Sequence, residues 1–135
     1  VLFEIRPGKL QPAAMFRDAM EGVSYGLYRG AQQMHQAGLE ITDLRVVGGG
    51  AQNSLWCQML ADLFQVPVMR PIETESAALG AALQACAADS EDFHQTLLEH
   101  CPATQKEILK PSTDNGKIYR AAAEKLHQLG ASLFA

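Results

Sequence analysis

Three glycines in a row, Gly48, Gly49 and Gly50, separate an apolar run at residues 44–47 from a helical pattern that Asn53 or Ser54 can cap. Consecutive glycines weaken any regular element, because glycine gives up the most backbone freedom on folding. A strand, then glycines, then a helix start is a corner suited to an anion or a nucleotide. The helix start offers unpaired N–H groups and a partial positive charge, and bare backbone lets a ligand press close. A tight turn uses the same residues, so the corner by itself leaves both readings open.

Other chemistry along the chain is thin. Gly48 and Gly50 fit the first two positions of the dinucleotide fingerprint G-x-G-x-x-G/A, and Glu73 lies at about the distance of its ribose-binding acid, but Asn53 stands where the third small residue belongs. That fingerprint also belongs to the first strand of its fold, whereas here a long helical pattern precedes it. A Walker phosphate loop is excluded, since no Gly-Lys-Ser/Thr follows the glycines. His94, His100 and Cys101 have no partner at metal-ligand spacing. His35 and His127 fall on helical patterns. Ser24, Ser54 and Ser76 lack the strand-to-helix elbow of a nucleophile. Asp62, Glu73 and Glu75 form no assignable acid–base pair, and Glu73 and Glu75 flank a helix start where negative charge is favourable anyway.

These residues have to be positioned by the elements around them. The 135 residues suffice for about one domain, and 47% of them are apolar, enough to bury a core. The net charge of −4, with 11 scattered Lys and Arg, argues against a nucleic-acid surface. No apolar stretch approaches the roughly 20 residues that span a bilayer. Cys57, Cys86 and Cys101, an odd count without a CxxC, read as free thiols of a reducing compartment, and the cytoplasm is the expected location.

A helix is predicted over residues 12–36. Pro12 suits its first turn, and Gly38 is its stop. Met15, Phe16, Ala19, Met20, Val23, Leu27, Ala31 and Met34 form its apolar stripe, while Gly22, Gly26 and Gly30 leave a groove of bare backbone suited first to a close helix contact and second to a ligand lying along it. Short strands follow at 44–47 and 66–69, Pro67 marking the start or edge of the second. Between them a helix to about Phe64 buries Leu55, Trp56, Met59, Leu60, Leu63 and Phe64, with Asp62 off that face. Thr74 or Ser76 caps a helix over 77–88, apolar nearly all round and therefore expected in the interior. Residues 89–113 read as irregular, apart from a short helix near 91–99. Asp114 opens a last helix to about Leu133, with Ile118, Tyr119, Ala122, Leu126 and Leu129 inward. Alternating helices and strands predict an α/β layer with a small parallel sheet.

Three segments together resemble the FGGY carbohydrate kinases. FRDAMEGVSYGL, residues 16–27, resembles their R-A-x-x-E-G-hydrophobic-x-aromatic helix. VVGGGAQNSLWCQMLADLFQVPVMRP, residues 46–71, is similar to their adenosine segment, in which a glycine corner precedes a Q-M/I-x-A-D helix and a V-P-V strand. ESAALGAALQA, residues 75–85, resembles their E-x-x-A-L-G-A-A helix. Order and spacing match over residues 12–86, and the last helix, with Tyr119, matches loosely. GGGA before a tryptophan helix is closest to the xylulokinase branch. Glycerol kinases more often carry D-G-G-A and E-T-T, and here Gly48 stands at that aspartate while Ser76 and Ala77 replace the threonines.

The resemblance implies a fold and a task. The chain would be part of an actin-like, ribonuclease-H-like ATPase domain, helix-rich with a small parallel sheet, spanning residues 1–135 as a partial C-terminal kinase domain. Gly49, Gly50 and Ala51 would line the nucleotide, with backbone N–H groups facing ribose or phosphate. Gln52 and Asn53 would sit beside the adenine edge. ATP and Mg²⁺ are the implied cofactors, bound mainly with residues of an N-terminal kinase domain, and a pentulose is the implied substrate; a homodimer is allowed. No catalytic residue and no metal ligand falls on this chain: the family's Asp-x-Gly-Thr phosphate loop, its catalytic aspartate and its sugar surface have no counterpart here, and residues 1–5 offer one short strand at most where the domain opens with three. The expectation is a C-terminal portion of a kinase several times longer, inactive in isolation. A stand-alone nucleotide-binding or interaction module, or a kinase for glycerol or another sugar, is the alternative.

Overall fold

The computed structural model describes residue 8 and residues 10–71, 75–88, 90, 92–100 and 107–134. The expectations for residues 1–5, Glu73, Thr74 and Cys101 lie outside these.

Helix α1 is Pro12–Gln36. It starts where proline's missing N–H costs nothing. It ends in a Schellman turn, with Gly38 at φ 87° and the N–H groups of Gly38 and Leu39 donating to His35 O and Met34 O. Strand β1 is Leu44–Arg45, and Val68–Arg70 forms β2. Between them run a 3₁₀ turn, Gly49–Gln52, and α2, Ser54–Phe64. Then follow α3, Ser76–Ala88, α4, Phe93–His100, β3, Glu107–Leu109, and α5, Thr113–Phe134.

The sheet has the order β1-β2-β3. β1 and β2 are parallel, as the intervening helix requires, with Leu44 opposite Val68. β3 was not anticipated. It lies in the tract expected to be irregular and joins β2 antiparallel, Met69 facing Ile108, so the sheet is mixed. Its three residues are too few to show a period of two, which is why only the pairing reveals it.

The core lies where α2 crosses the sheet. Cys57, Leu60, Ala61 and Val68 are buried together, with Leu44, Val46, Trp56, Phe64 and Leu109 packed against them. α1 lies on α2 through Met20, which meets Asn53, and Ser24, which meets Trp56 and Met59, and Tyr28 meets Phe64 edge-on at 5.4 Å. The apolar stripe expected to be the inner face of α1 is mostly outside: Phe16 is 61% exposed, and Met15, Val23, Leu27 and Met34 are exposed too. The contact face is rotated from that stripe because α2 engages the Met20–Ser24 side. Among the described residues nothing approaches within 4 Å of a Cβ at Gly22, Gly26 or Gly30, so the close helix contact expected there is not made.

Three further expectations are corrected. α3 is not interior: among its described residues only Ala87 is buried, since the described elements leave its other faces uncovered. Leu55 and Ile118 point outward, Ile118 at 68% exposure, because α5 approaches α2 at Gly116 rather than through Ile118. Asp62 is 1% exposed rather than off the buried face. Its Oδ1 accepts from the Ser112 N–H at 2.8 Å and the Gln58 amide at 2.7 Å, and its Oδ2 accepts from the Asn115 amide at 3.0 Å. Gln58 also donates to Lys110 O. The polar pair on α2 thus fastens the chain as it enters α5, and a buried carboxylate is tolerated because donors surround it.

Candidate functional site

Parallel strands carry their ligand crevices beyond their carboxyl ends, and the glycines stand at that end of β1. Each of the three has its own reason to be glycine. Gly48 has φ 75° and ψ −165°, a conformation that side chains resist. At Gly50 a Cβ would lie 2.5 Å from Trp56 Cζ3, so the indole needs the space. Neither reason applies at Gly49: its φ is not positive, and among the described residues nothing lies within 4 Å of a Cβ built there. Its bare backbone is exposed.

The donors of the corner divide the same way. The N–H groups of Ala51 and Asn53 donate to Gly48 O and Gly50 O, each at 3.1 Å. Those of Gly49 and Gly50 have no acceptor among the described residues. Ala51 is buried and anchors the turn from beneath, while Gln52 is exposed. Asn53 is committed elsewhere: its Oδ1 caps α2 by accepting from the Trp56 N–H at 3.1 Å, and its amide lies 3.4 Å from Met20 Sδ. The structure therefore brings all five sequence-derived residues to one corner, but leaves only Gly49, Gly50 and Gln52 with open valences.

Two side chains that sequence reasoning did not single out for the site hold the corner. Trp56 Nε1 donates to Ser24 Oγ at 2.9 Å, and Ser24, fully buried, donates in turn to Met20 O at 2.7 Å. The indole is thereby fixed between α1 and Gly50. From the end of β2, Arg70 Nη1 donates to Ala51 O and to Ser54 Oγ, both at 3.1 Å. Cys57 lies beneath, its Sγ 3.6 Å from Ala51 O; burial pushes its thiol up, against the opposing pull of Arg70. A cation at the end of the strand parallel to the one feeding the glycines was the available signal for Arg70.

Away from the corner, the helix motif of α1 also resolves into contacts. Arg17 Nε donates to Glu21 at 3.0 Å and its Nη2 to Tyr119 Oη at 2.8 Å, while Tyr25 donates to the other Glu21 oxygen at 3.3 Å. These residues, four apart on one face, tie α1 to α5. Below them a cavity of about 390 Å³ opens between Gly26 and Arg29 of α1 and Arg120 and His127 of α5, and it includes none of the corner residues. Among the described residues no three His, Cys, Asp or Glu side chains gather as a metal site. No helix among them is long and apolar enough to cross a membrane.

Comparison with known proteins gives a consistent result. The model of the FGGY family of carbohydrate kinases, C-terminal domain, matches residues 2–88. A xylulose kinase of Haemophilus influenzae is 37% identical over 112 residues, which are 81% of this chain and 22% of that protein. One from Staphylococcus epidermidis is 32% identical over 83% of this chain and 23% of its own length. A glycerol kinase of Thermus brockianus is 46% identical over a shorter stretch, 52% of this chain and 14% of that protein. Among solved structures, a xyloylose kinase from Brucella ovis superposes with a TM-score of 0.77 at 27% identity, covering 95% of this chain and 26% of that one. A ligand-bound xylulose kinase from Lactobacillus acidophilus shares the fold at a TM-score of 0.73 and 21% identity, over 99% of this chain and 27% of that one. The chain thus spans less than a quarter of the length of these curated relatives.

Proposed function

The chain belongs to the FGGY family of carbohydrate kinases, and from that membership we propose that it forms the adenosine-binding part of an ATP-dependent kinase for a pentulose, D-xylulose first among them. Its helix-rich layer and small sheet are part of an actin-like ATPase fold. Xylulose is favoured over glycerol because the xylulose kinases match about four-fifths of the chain, whereas the glycerol kinases match about half.

The observation that carries the reading is Gly49: open backbone with no internal reason to be glycine, beside two N–H groups free to donate, at the carboxyl end of a parallel strand pair. Gly49, Gly50 and Ala51 form the wall of the nucleotide pocket, and the side chain of Gln52 is free to reach the base. Asn53 contributes by capping α2 and so shaping the corner. In the reaction the bond from the γ-phosphorus to its bridging oxygen breaks as the sugar hydroxyl attacks. The hydroxyl proton leaves to a base on the companion N-terminal domain. Such transfers depend on positioning and electrostatics, and this chain supplies the positioning of the nucleoside. None of the five corner residues carries a carboxylate, so Mg²⁺ is held elsewhere in the enzyme. Closure of the two domains excludes water that would otherwise consume ATP. The cytoplasm, where ATP and sugar phosphates meet, is its working place.

The test is Gly49→Ala in the full-length kinase, with ADP release measured over a panel of pentuloses and glycerol. A Cβ placed in the ligand's space raises the ATP KM about tenfold or more, while the sugar KM and the melting temperature hold. An unchanged ATP KM removes the corner as the pocket. No ADP release by the unsubstituted kinase with any pentulose of the panel removes the pentulose reading.

A further inference from the structure

We propose that Arg70 is a positioning residue for nucleotide binding, holding the glycine corner in its binding geometry from the neighbouring strand. The inference rests on the corner being the nucleotide pocket. Within the corner, Gly48 turns the chain through a left-handed conformation, Gly49 has no side chain to pack, and the bonds from the Ala51 and Asn53 N–H groups to Gly48 O and Gly50 O tie the turn to itself but not to the neighbouring strand. Donors act on a ligand only when they are already aimed at it.

Arg70 supplies the missing constraint. It ends β2, which is paired in parallel with β1, and its Nη1 donates at once to Ala51 O in the turn and to Ser54 Oγ in the first turn of α2. One guanidinium therefore joins the second strand, the glycine turn and the helix that follows it. Hydrogen bonds to a charged donor are the stronger kind. The Cys57 thiol packs against the same Ala51 carbonyl, so the turn has little room to slide once Arg70 is in place. Arg70 meets the corner through its inner carbonyl, which leaves the outward N–H groups to the ligand.

The experiment compares Arg70→Met, Arg70→Lys and Ser54→Ala with Gly49→Ala in the full-length kinase, reading ATP KM, sugar KM, kcat and melting temperature. Loss of two charge-assisted bonds in Arg70→Met raises the ATP KM about tenfold or more, with the sugar KM within about twofold. Arg70→Lys, whose ammonium can serve both oxygens, recovers part of the loss. Ser54→Ala, at an exposed position, raises the ATP KM about two- to fivefold without lowering the melting temperature. If Arg70→Met does not fold, Arg70→Lys and Ser54→Ala decide, and an unchanged ATP KM in both overturns the proposal. Equal rises in both KM values overturn it too, since they mark a general loss of structure. A rise in Gly49→Ala alone leaves the pocket standing and removes Arg70 from its support; no rise in any variant removes the pocket itself, and this inference with it.

Discussion

Substituting Gly50 by alanine tests how the corner is built, independently of what it binds. The new Cβ would stand 2.5 Å from Trp56 Cζ3 and 3.1 Å from Cε3, where ordinary carbon contacts begin near 3.4 Å, so the ring must retreat by about 1 Å. It cannot do so freely. Its Nε1–H is held by Ser24, which is buried and bonded to α1. Forcing a side chain out of a packed site costs about 1–3 kcal/mol, and weakening the indole hydrogen bond adds about 1 kcal/mol. Removing a glycine returns about 0.4–1 kcal/mol through the unfolded chain, since Gly50 has no positive φ to strain. The net is a destabilisation of about 2 kcal/mol. Urea unfolding followed by circular dichroism reads it directly. In a Trp56→Leu background the same substitution costs close to nothing, because the atoms it strikes are gone. Stability of Gly50→Ala equal to the parent, or an undiminished cost in the Trp56→Leu background, would refute the account of Gly50 as space reserved for the indole.

Two further outcomes concern the anchoring of α5 and a buried phenol. Asp62→Ala takes the acceptor from the Ser112 N–H and cuts the Gln58 and Asn115 amides loose from it, although Gln58 keeps Lys110 O and Asn115 is exposed, and lowers stability by about 2 kcal/mol; Asp62→Asn costs less, about 1 kcal/mol, because its oxygen still accepts and the Asn115 amide can turn over. Urea unfolding separates them, and an Asp62→Ala protein within about 1 kcal/mol of the parent would show the cluster to be dispensable. Burial first, and then the Glu21 carboxylate, hold the Tyr25 phenol well above the usual tyrosine range. The folded state therefore keeps a proton that the unfolded state loses, so the stabilisation is complete below about pH 10 and fades as pH climbs from there toward the folded value. Melting temperatures recorded on either side of pH 10 should fall less steeply for Tyr25→Phe than for the parent; identical slopes would mean the hydroxyl is not protected.

Much of the local structure was legible. α1 begins and ends where Pro12 and Gly38 place it, Asn53 caps α2, and the glycine corner sits between a strand and a helix. Each of these signals acts within a turn or so of the residue that carries it. The helix motif Arg17, Glu21, Tyr25 was readable as a pattern, but its meaning, a tether to Tyr119, was not.

What the residue order determined by itself, then, was the punctuation of the chain and the position of its one corner of bare backbone, because caps, stops and glycine conformations depend on near neighbours. Which face of α1 is covered, that Asp62 is buried, that residues 107–109 pair with β2, and that Trp56 packs on Gly50 while Arg70 holds Ala51 were decided only in three dimensions. Arg70 reaches Ser54 across 16 positions of sequence, and Asn115 reaches Asp62 across 53. Hydrophobic period and local propensity carry no information about such partners until the topology brings them within a hydrogen bond of one another.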